Sequence, residues 1–129
     1  MEIKTGLTTE IEVKYHALKN GIMVSTPFGD CSRYDQIWDV NGNLYKVQIK
    51  TASELKDGSG FRFPGKNKAG KYTSNQIDGI ATIYNGKCYY IPIDKCGNEI
   101  KLRYTIPASS KAEDIKFAHD YELKRNFNI

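Results

Sequence analysis

At 129 residues the chain is long enough for one domain that buries about two-thirds of its unfolded surface. With no apolar run of about 18 residues and no charged-then-apolar leader it is expected to be cytoplasmic, without a membrane partner. The net charge of +4 is too mild to mark a nucleic-acid binder by itself, and Cys31, Cys88 and Cys96, an odd set with no Cys-x-x-Cys pair, are read as reduced structural thiols and not zinc ligands.

Gly6-Leu7-Thr8-Thr9-Glu10 opens a helical pattern that runs to about Asn20 and stops at Gly21. Thr9 and Glu12 have capping-box spacing, and Ile11, Tyr15 and Leu18 form a narrow apolar stripe. Ile22-Met23-Val24-Ser25 has the pattern of a short buried strand, followed by the loop Thr26-Pro27-Phe28-Gly29-Asp30. Asn41-Gly42 then separates two alternating runs, the strongest short-range signal for a hairpin, because a type I′ turn needs positive φ at both central residues.

In that register Val40 pairs with Asn43, Asp35 lies opposite Gln48, and Arg33 opposite Lys50. One face holds Tyr34, Gln36, Trp38, Val40, Tyr45, Val47 and Ile49 and should meet a core. The other holds Asp35, Gln48 and Lys50, with opposed Cβ atoms about 4.5–5.5 Å apart, close enough to share a divalent ion. A carboxylate, an amide and an ammonium on one face is the layout of a metal-dependent phosphodiester-cleaving site, although any amphipathic hairpin has a polar outer face. The like-charge pair Arg33–Lys50 is unfavourable unless an anion or a bulge intervenes.

From 61 to 76 the chain holds Arg62, Lys66, Lys68 and Lys71 with no acid, interleaved with Phe61, Phe63 and Tyr72. This is a basic, glycine-rich loop near 56–76, suited either to a phosphate backbone or to plain solvation. Strand patterns over 77–84 and 87–93 flank the hairpin signal Asn85-Gly86, and a further element over 99–106 ends at Pro107. Ser110-Lys111-Ala112-Glu113 has capping-box spacing and starts a final helix with Ile115, Ala118 and Tyr121 or Leu123 inside. His16 and His119 are packing or surface residues. The order predicts one domain, 1–129, with a mixed central sheet flanked by helices.

Taken together, Gly6-x-x-x-Glu10, Val24-Ser25-Thr26-Pro27-Phe28-Gly29-Asp30, Tyr34-Asp35 and Tyr45-Lys46-Val47-Gln48-Ile49-Lys50-Thr51 resemble the PD-(D/E)XK nuclease superfamily, in particular its intron-associated homing endonucleases. Tyr72, Ile77-Asp78-Gly79-Ile80-Ala81 and Tyr89-Tyr90-Ile91-Pro92 continue the likeness, as do Leu102-Arg103 and Ala118-His119-Asp120-Tyr121-Glu122-Leu123. The resemblance implies an α/β (α+β) restriction-endonuclease-like core. It also implies an Mg²⁺-dependent endodeoxyribonuclease, with Mn²⁺ as a substitute, acting on double-stranded DNA in a bacterial or phage-infected cell and leaving a 5′-phosphate.

In that family pattern Glu10 and Asp35 hold metal, Lys50 stands beside the attacking water, and Gln48 occupies a ligand position usually filled by Glu or Asp. Glu10 is otherwise an ordinary first-turn glutamate favoured by the helix dipole. With Gln48 neutral, only two anionic ligands remain, so metal binding should be weak without DNA. Asp78 is expected to position a neighbour and not to catalyse. One site per chain implies a homodimer or higher oligomer for cutting two strands. A Holliday junction resolvase or other structure-specific nuclease shares the same residue logic. An inactive nuclease-fold DNA-binding module is the alternative that Gln48 suggests, and a small interaction domain without a nucleic-acid role is a further one.

Overall fold

The computed structural model describes residues 6–29, 33–106, 111 and 115–129. Helix α1 (Gly6–Lys19) is followed by strand β1 (Met23–Ser25) and the hairpin of β2 (Gln36–Val40) and β3 (Asn43–Ile49). Next come β4 (Ser53–Glu54), β5 (Gly60–Pro64) and a two-stranded ribbon of β6 (Lys66–Asn67) and β7 (Gly70–Lys71). A second hairpin, β8 (Gly79–Tyr84) and β9 (Lys87–Pro92), precedes β10 (Glu99–Arg103), and the chain closes on α2 (Leu123–Phe127).

Five strands form the main sheet in the order β1-β2-β3-β8-β9, and β10-β5-β4 form a second sheet. Among the described strands only β3 and β8 pair in parallel; the other strand pairings are antiparallel. The expected α+β architecture around a mixed central sheet is therefore present. Both helices contribute to a core on one face of the main sheet, with Val13, Ala17, Trp38, Val47, Ala81, Tyr90 and Leu123. The opposite face of β8 and β9 is covered by the second sheet, through Phe61, Phe63, Ile80, Ile91, Ile100 and Leu102. Strands buried on both faces lose polar alternation, which is why the segments over β8 and β9 are almost continuously apolar. Gly79 is where β8 begins, and a Cβ there would run into the Tyr90 ring and the Ile91 carbonyl; only glycine lets β9 come so close.

Asn41 and Gly42 take φ of 52° and 91°, and Val40 pairs with Asn43 as the turn chemistry requires. Asn85 and Gly86, at 49° and 75°, repeat the device in the second hairpin.

Four local expectations are corrected. Helix α1 begins at Gly6, so Thr9 is already inside it and is not an N-cap. Its buried residues are Thr9, Val13 and Ala17, while Ile11, Tyr15 and Leu18 are exposed. The physical reason is closeness: small side chains at i, i+4 and i+8 let the helix backbone lie against the sheet, and the bulkier stripe is left outside. The basic stretch is not a simple loop, since Phe61 and Phe63 anchor β5 in the second core. The helix expected from Ser110 falls partly outside the described residues, Ala112 and Glu113 among them. Beyond these, Ala118–Tyr121 forms a 3-10 turn and only Leu123–Phe127 is α-helical. Among the described residues no helix is long and apolar enough to cross a membrane.

Candidate active site

The geometry of the site departs from a simple hairpin at Asp35. The β2–β3 ladder ends at Gln36↔Val47, yet the Asp35 N–H also donates to the Val47 carbonyl, at 2.9 Å. Two residues thus oppose one, which is the arrangement of a β-bulge, a device that re-aims side chains. The direct Asp35–Gln48 and Arg33–Lys50 pairings expected from the turn are not part of the β2–β3 register, which stops at Gln36↔Val47. The Asp35 carboxylate turns along β3 and accepts the Ile49 N–H at 2.9 Å. That bond sets Asp35 between Gln48 and Lys50 along the strand.

Two bridges then bring α1 to the hairpin. Gln36, buried to within 1 % of its surface, donates its side-chain amide to the Glu10 carbonyl at 2.9 Å and accepts the Trp38 indole N–H at 2.9 Å. The hydroxyls of Thr9 and Thr51 meet at 3.0 Å. Each bridging residue is the sequence neighbour of Glu10, Asp35 or Lys50, so both ties act on the candidate site. Sequence reasoning missed Gln36 as a connector. A glutamine on the otherwise apolar hairpin face was the available signal, because a buried amide must find partners.

Electrostatics bind the three charged residues into one unit. Burial raises the Asp35 pKa above its ordinary value, only partly offset by the Ile49 N–H and by the Lys50 ammonium. The Glu10 carboxyl is raised too, first by burial and then by the negative charge of Asp35, against a lowering by Lys14. Burial raises the proton affinity of both carboxylates, and Asp35 adds to it at Glu10, so a cation beside them would offset both effects. Their oxygens, with the half-buried Gln48 on β3, are hard donors of the kind Mg²⁺ takes. Among the described residues no three His, Cys, Asp or Glu side chains gather into a metal-ligand cluster.

Lys50 follows β3, with its N–H on the Ala81 carbonyl at 3.1 Å and its ammonium 5.4 Å from the centroid of the buried Tyr72 ring. It stands at one wall of a groove of about 770 Å³ lined also by Arg62, Lys66, Asn67 and Lys68. Among the described residues that line the groove the one acid is Glu99, 3.7 Å from Arg62. Lys71 lies on the ribbon directly across from Lys66, a like-charge pair that a polyanion would relieve.

The other singled-out residues stand apart. Asp78 accepts the Lys46 N–H at 2.7 Å and donates its own N–H to the Lys46 carbonyl at 2.8 Å, pinning the start of β8 to β3 as a positioning residue. Ser25 is exposed on β1, and His119 is exposed beside Asp120 at 3.3 Å. Cys88 and Cys96 are free thiols whose pKa values burial pushes up to about 12; Cys31 lies outside the described residues.

A helix carboxylate, a bulge-borne aspartate and a lysine just past the end of β3, beside a basic groove, make up a candidate phosphodiesterase centre. The chain matches the PD-(D/E)XK endonuclease family over residues 2–124, nearly its whole length, and belongs to that family. Among solved structures it is similar to the bacterial homing endonuclease I-Ssp6803I, with a TM-score of 0.70 and 24 % identity over 95 % of this chain and 86 % of that one. Comparison with curated proteins gives no match.

The Gln36 bridge has a measurable consequence. Gln36→Leu leaves the buried Trp38 N–H without its acceptor and removes the side-chain donor to the Glu10 carbonyl, at a cost of about 1–3 kcal/mol in stability. It is also expected to lower metal affinity about 10- to 100-fold, as loss of groups that orient ligands does. Titrating metal against cleavage rate while DNA affinity is measured separately checks this. A variant with normal metal dependence would make Gln36 a purely structural residue.

Proposed function

We propose that this endonuclease is an Mg²⁺-dependent enzyme that hydrolyses phosphodiester bonds in duplex DNA, homing-endonuclease-like in target, and works as a homo-oligomer. The observation that carries this is the pair of half-buried carboxylates Glu10 and Asp35, with Asp35 raising the Glu10 pKa and itself under the influence of Lys50, which lines a cationic groove. Glu10, Asp35 and the Gln48 amide would hold the ion, and Mn²⁺ would fit the same donors. When bound, the ion supplies Lewis-acid polarisation of the scissile phosphate and acidifies water. Asp35, fixed by Ile49 N–H, keeps its free oxygen for a ligand role. Lys50 orients the attacking water and offsets charge that develops at phosphorus. Tyr72 holds the Lys50 ammonium by a contact worth about 0.5–1 kcal/mol.

The groove supplies the backbone contacts. Arg62, Lys66 and Lys68 line it, and Lys71 widens the charged surface across the ribbon. Replacing Lys66, Lys68 and Lys71 together by alanine is expected to weaken binding of all duplexes about equally. It should reduce the slope of log affinity against log salt by about 3, close to one per lost phosphate contact. An unchanged slope would remove the ribbon from the DNA interface.

The decisive experiment incubates the protein with a randomised duplex library and with four-way junctions, in Mg²⁺ and in EDTA. Metal-dependent cutting of one long duplex target supports the homing reading. Junction cutting at any sequence moves the protein to the structure-specific nucleases. Salt-sensitive binding with no cutting in Mg²⁺ or Mn²⁺ points to the inactive binding module, with Gln48 as the lost ligand.

A further inference from the structure

Helix α1 carries an apolar face that the described chain leaves in solvent. Leu7, Ile11, Tyr15 and Leu18 are 67, 60, 60 and 49 % exposed, and their spacing of four, four and three residues lays them in one stripe along a helix about 21 Å long. The opposite side, Thr9, Val13 and Ala17, is already committed to the sheet. Single exposed apolar side chains are ordinary on a protein surface, whereas a contiguous row of four marks an interaction site.

We propose that this stripe is the interface with a second copy of the same chain, the two α1 helices packing antiparallel about a two-fold axis. The charge distribution of α1 selects that occupant. Outside the candidate site its first half holds Glu12 and no base; its last half holds Lys14 and Lys19 and no acid, while burial and then Lys19 hold the His16 imidazole below its ordinary pKa and so less charged. Antiparallel packing lays each acidic half along the partner's basic half and sets the two helix dipoles head to tail, while parallel packing opposes like with like. The stripe is also close to self-matching on reversal, with Leu7 meeting Leu18 and Ile11 meeting Tyr15, as a two-fold contact requires. The Lys19 ammonium, 5.5 Å from the Tyr15 ring centroid, edges the stripe at its basic end.

The inference deepens the homo-oligomeric nuclease reading. Glu10 sits on the same helix as the stripe, so an α1–α1 contact ties the two candidate centres rigidly to one dyad, which suits cutting two antiparallel strands. A contact between two helices lies at the small end of stable interfaces, so the test spans concentration and includes duplex DNA.

Molar mass by light scattering should rise from 14.6 kDa to twice that value for the wild type. Ile11→Glu with Leu18→Glu should remain monomeric while keeping wild-type circular dichroism, because both side chains are exposed. Orientation is read by a short bis-maleimide: Leu7→Cys chains mixed with Leu18→Cys chains should link to each other more than either links to itself, above the wild-type background. A wild type that stays at monomer mass with and without DNA overturns the proposal. So does a double variant that dimerises as well as wild type, or Leu7→Cys chains that link chiefly to themselves. Mass needs no catalysis, so a dimer that cuts nothing sinks the nuclease reading and leaves the interface standing. A monomer that cuts both strands does the reverse.

Discussion

Asp35→Ala is expected to abolish cleavage, with a fall of at least about 10³-fold, since losing the central anionic donor removes several kcal/mol of charge stabilisation and each 1.4 kcal/mol is tenfold. The more telling variant is Asp35→Asn. It keeps the volume and can still accept the Ile49 N–H, so loss of activity there reports on charge. Its effect on stability has the opposite sign. Burial holds the Asp35 carboxyl above its ordinary pKa, so the folded protein binds that proton more tightly than the unfolded chain does. Ionisation therefore disfavours the fold. The penalty is absent below the unfolded value of about 3.9, grows as pH rises and is complete above the folded pKa. Metal-free Asp35→Asn should accordingly have a higher Tm than wild type at neutral pH, with the gap closing on acidification through the carboxylate range. Mg²⁺ should raise the Tm of wild type and not of the variant. A metal-free variant less stable than wild type at neutral pH would sink this account of the site.

Lys50→Ala is expected to cost about 10²–10³ in cleavage rate, the scale found when one group stabilising transition-state charge is removed. DNA affinity should change far less, because Arg62, Lys66 and Lys68 still line the groove. Lys50→Arg should not restore the rate: a planar guanidinium that never gives up its proton replaces a compact ammonium beside the water. Single-turnover rates with saturating DNA separate the two effects. If the loss lay wholly in affinity, Lys50 would be a phosphate contact and the catalytic assignment would move elsewhere.

The two hairpins were legible because Asn-Gly pairs between alternating runs impose a backbone geometry that few other residues tolerate, and 41–42 and 85–86 both adopt it. The alternation of β2 and β3 put Gln36, Trp38, Val40, Val47 and Ile49 inside, as found. The amphipathic reading of α1 failed because it weighed hydrophobicity alone. Burial followed the residues small enough to let the helix approach, and the large apolar ones stayed outside. Asp35 was recognisable from its motif, but its aim was not, since the bulge depends on a side chain outcompeting the ladder for the Ile49 N–H. The basic stretch was read as a loop because glycine and lysine dominate it, whereas Phe61 and Phe63 were enough to draw it into a second sheet.

By itself the sequence determined the turns, the alternation of the hairpin faces and the set of charged residues Glu10, Asp35 and Lys50, because these rest on local sterics and on residue types that no neighbour can change. Only the tertiary structure decided that Asp35 lies within electrostatic range of Glu10 and of Lys50. It did so through the Gln36 amide on the Glu10 carbonyl and the Thr9–Thr51 hydroxyl pair, contacts spanning 26 and 42 positions of the chain. Such contacts have no periodic trace in sequence. They form when the packing of α1 on the sheet leaves buried polar groups that must satisfy one another.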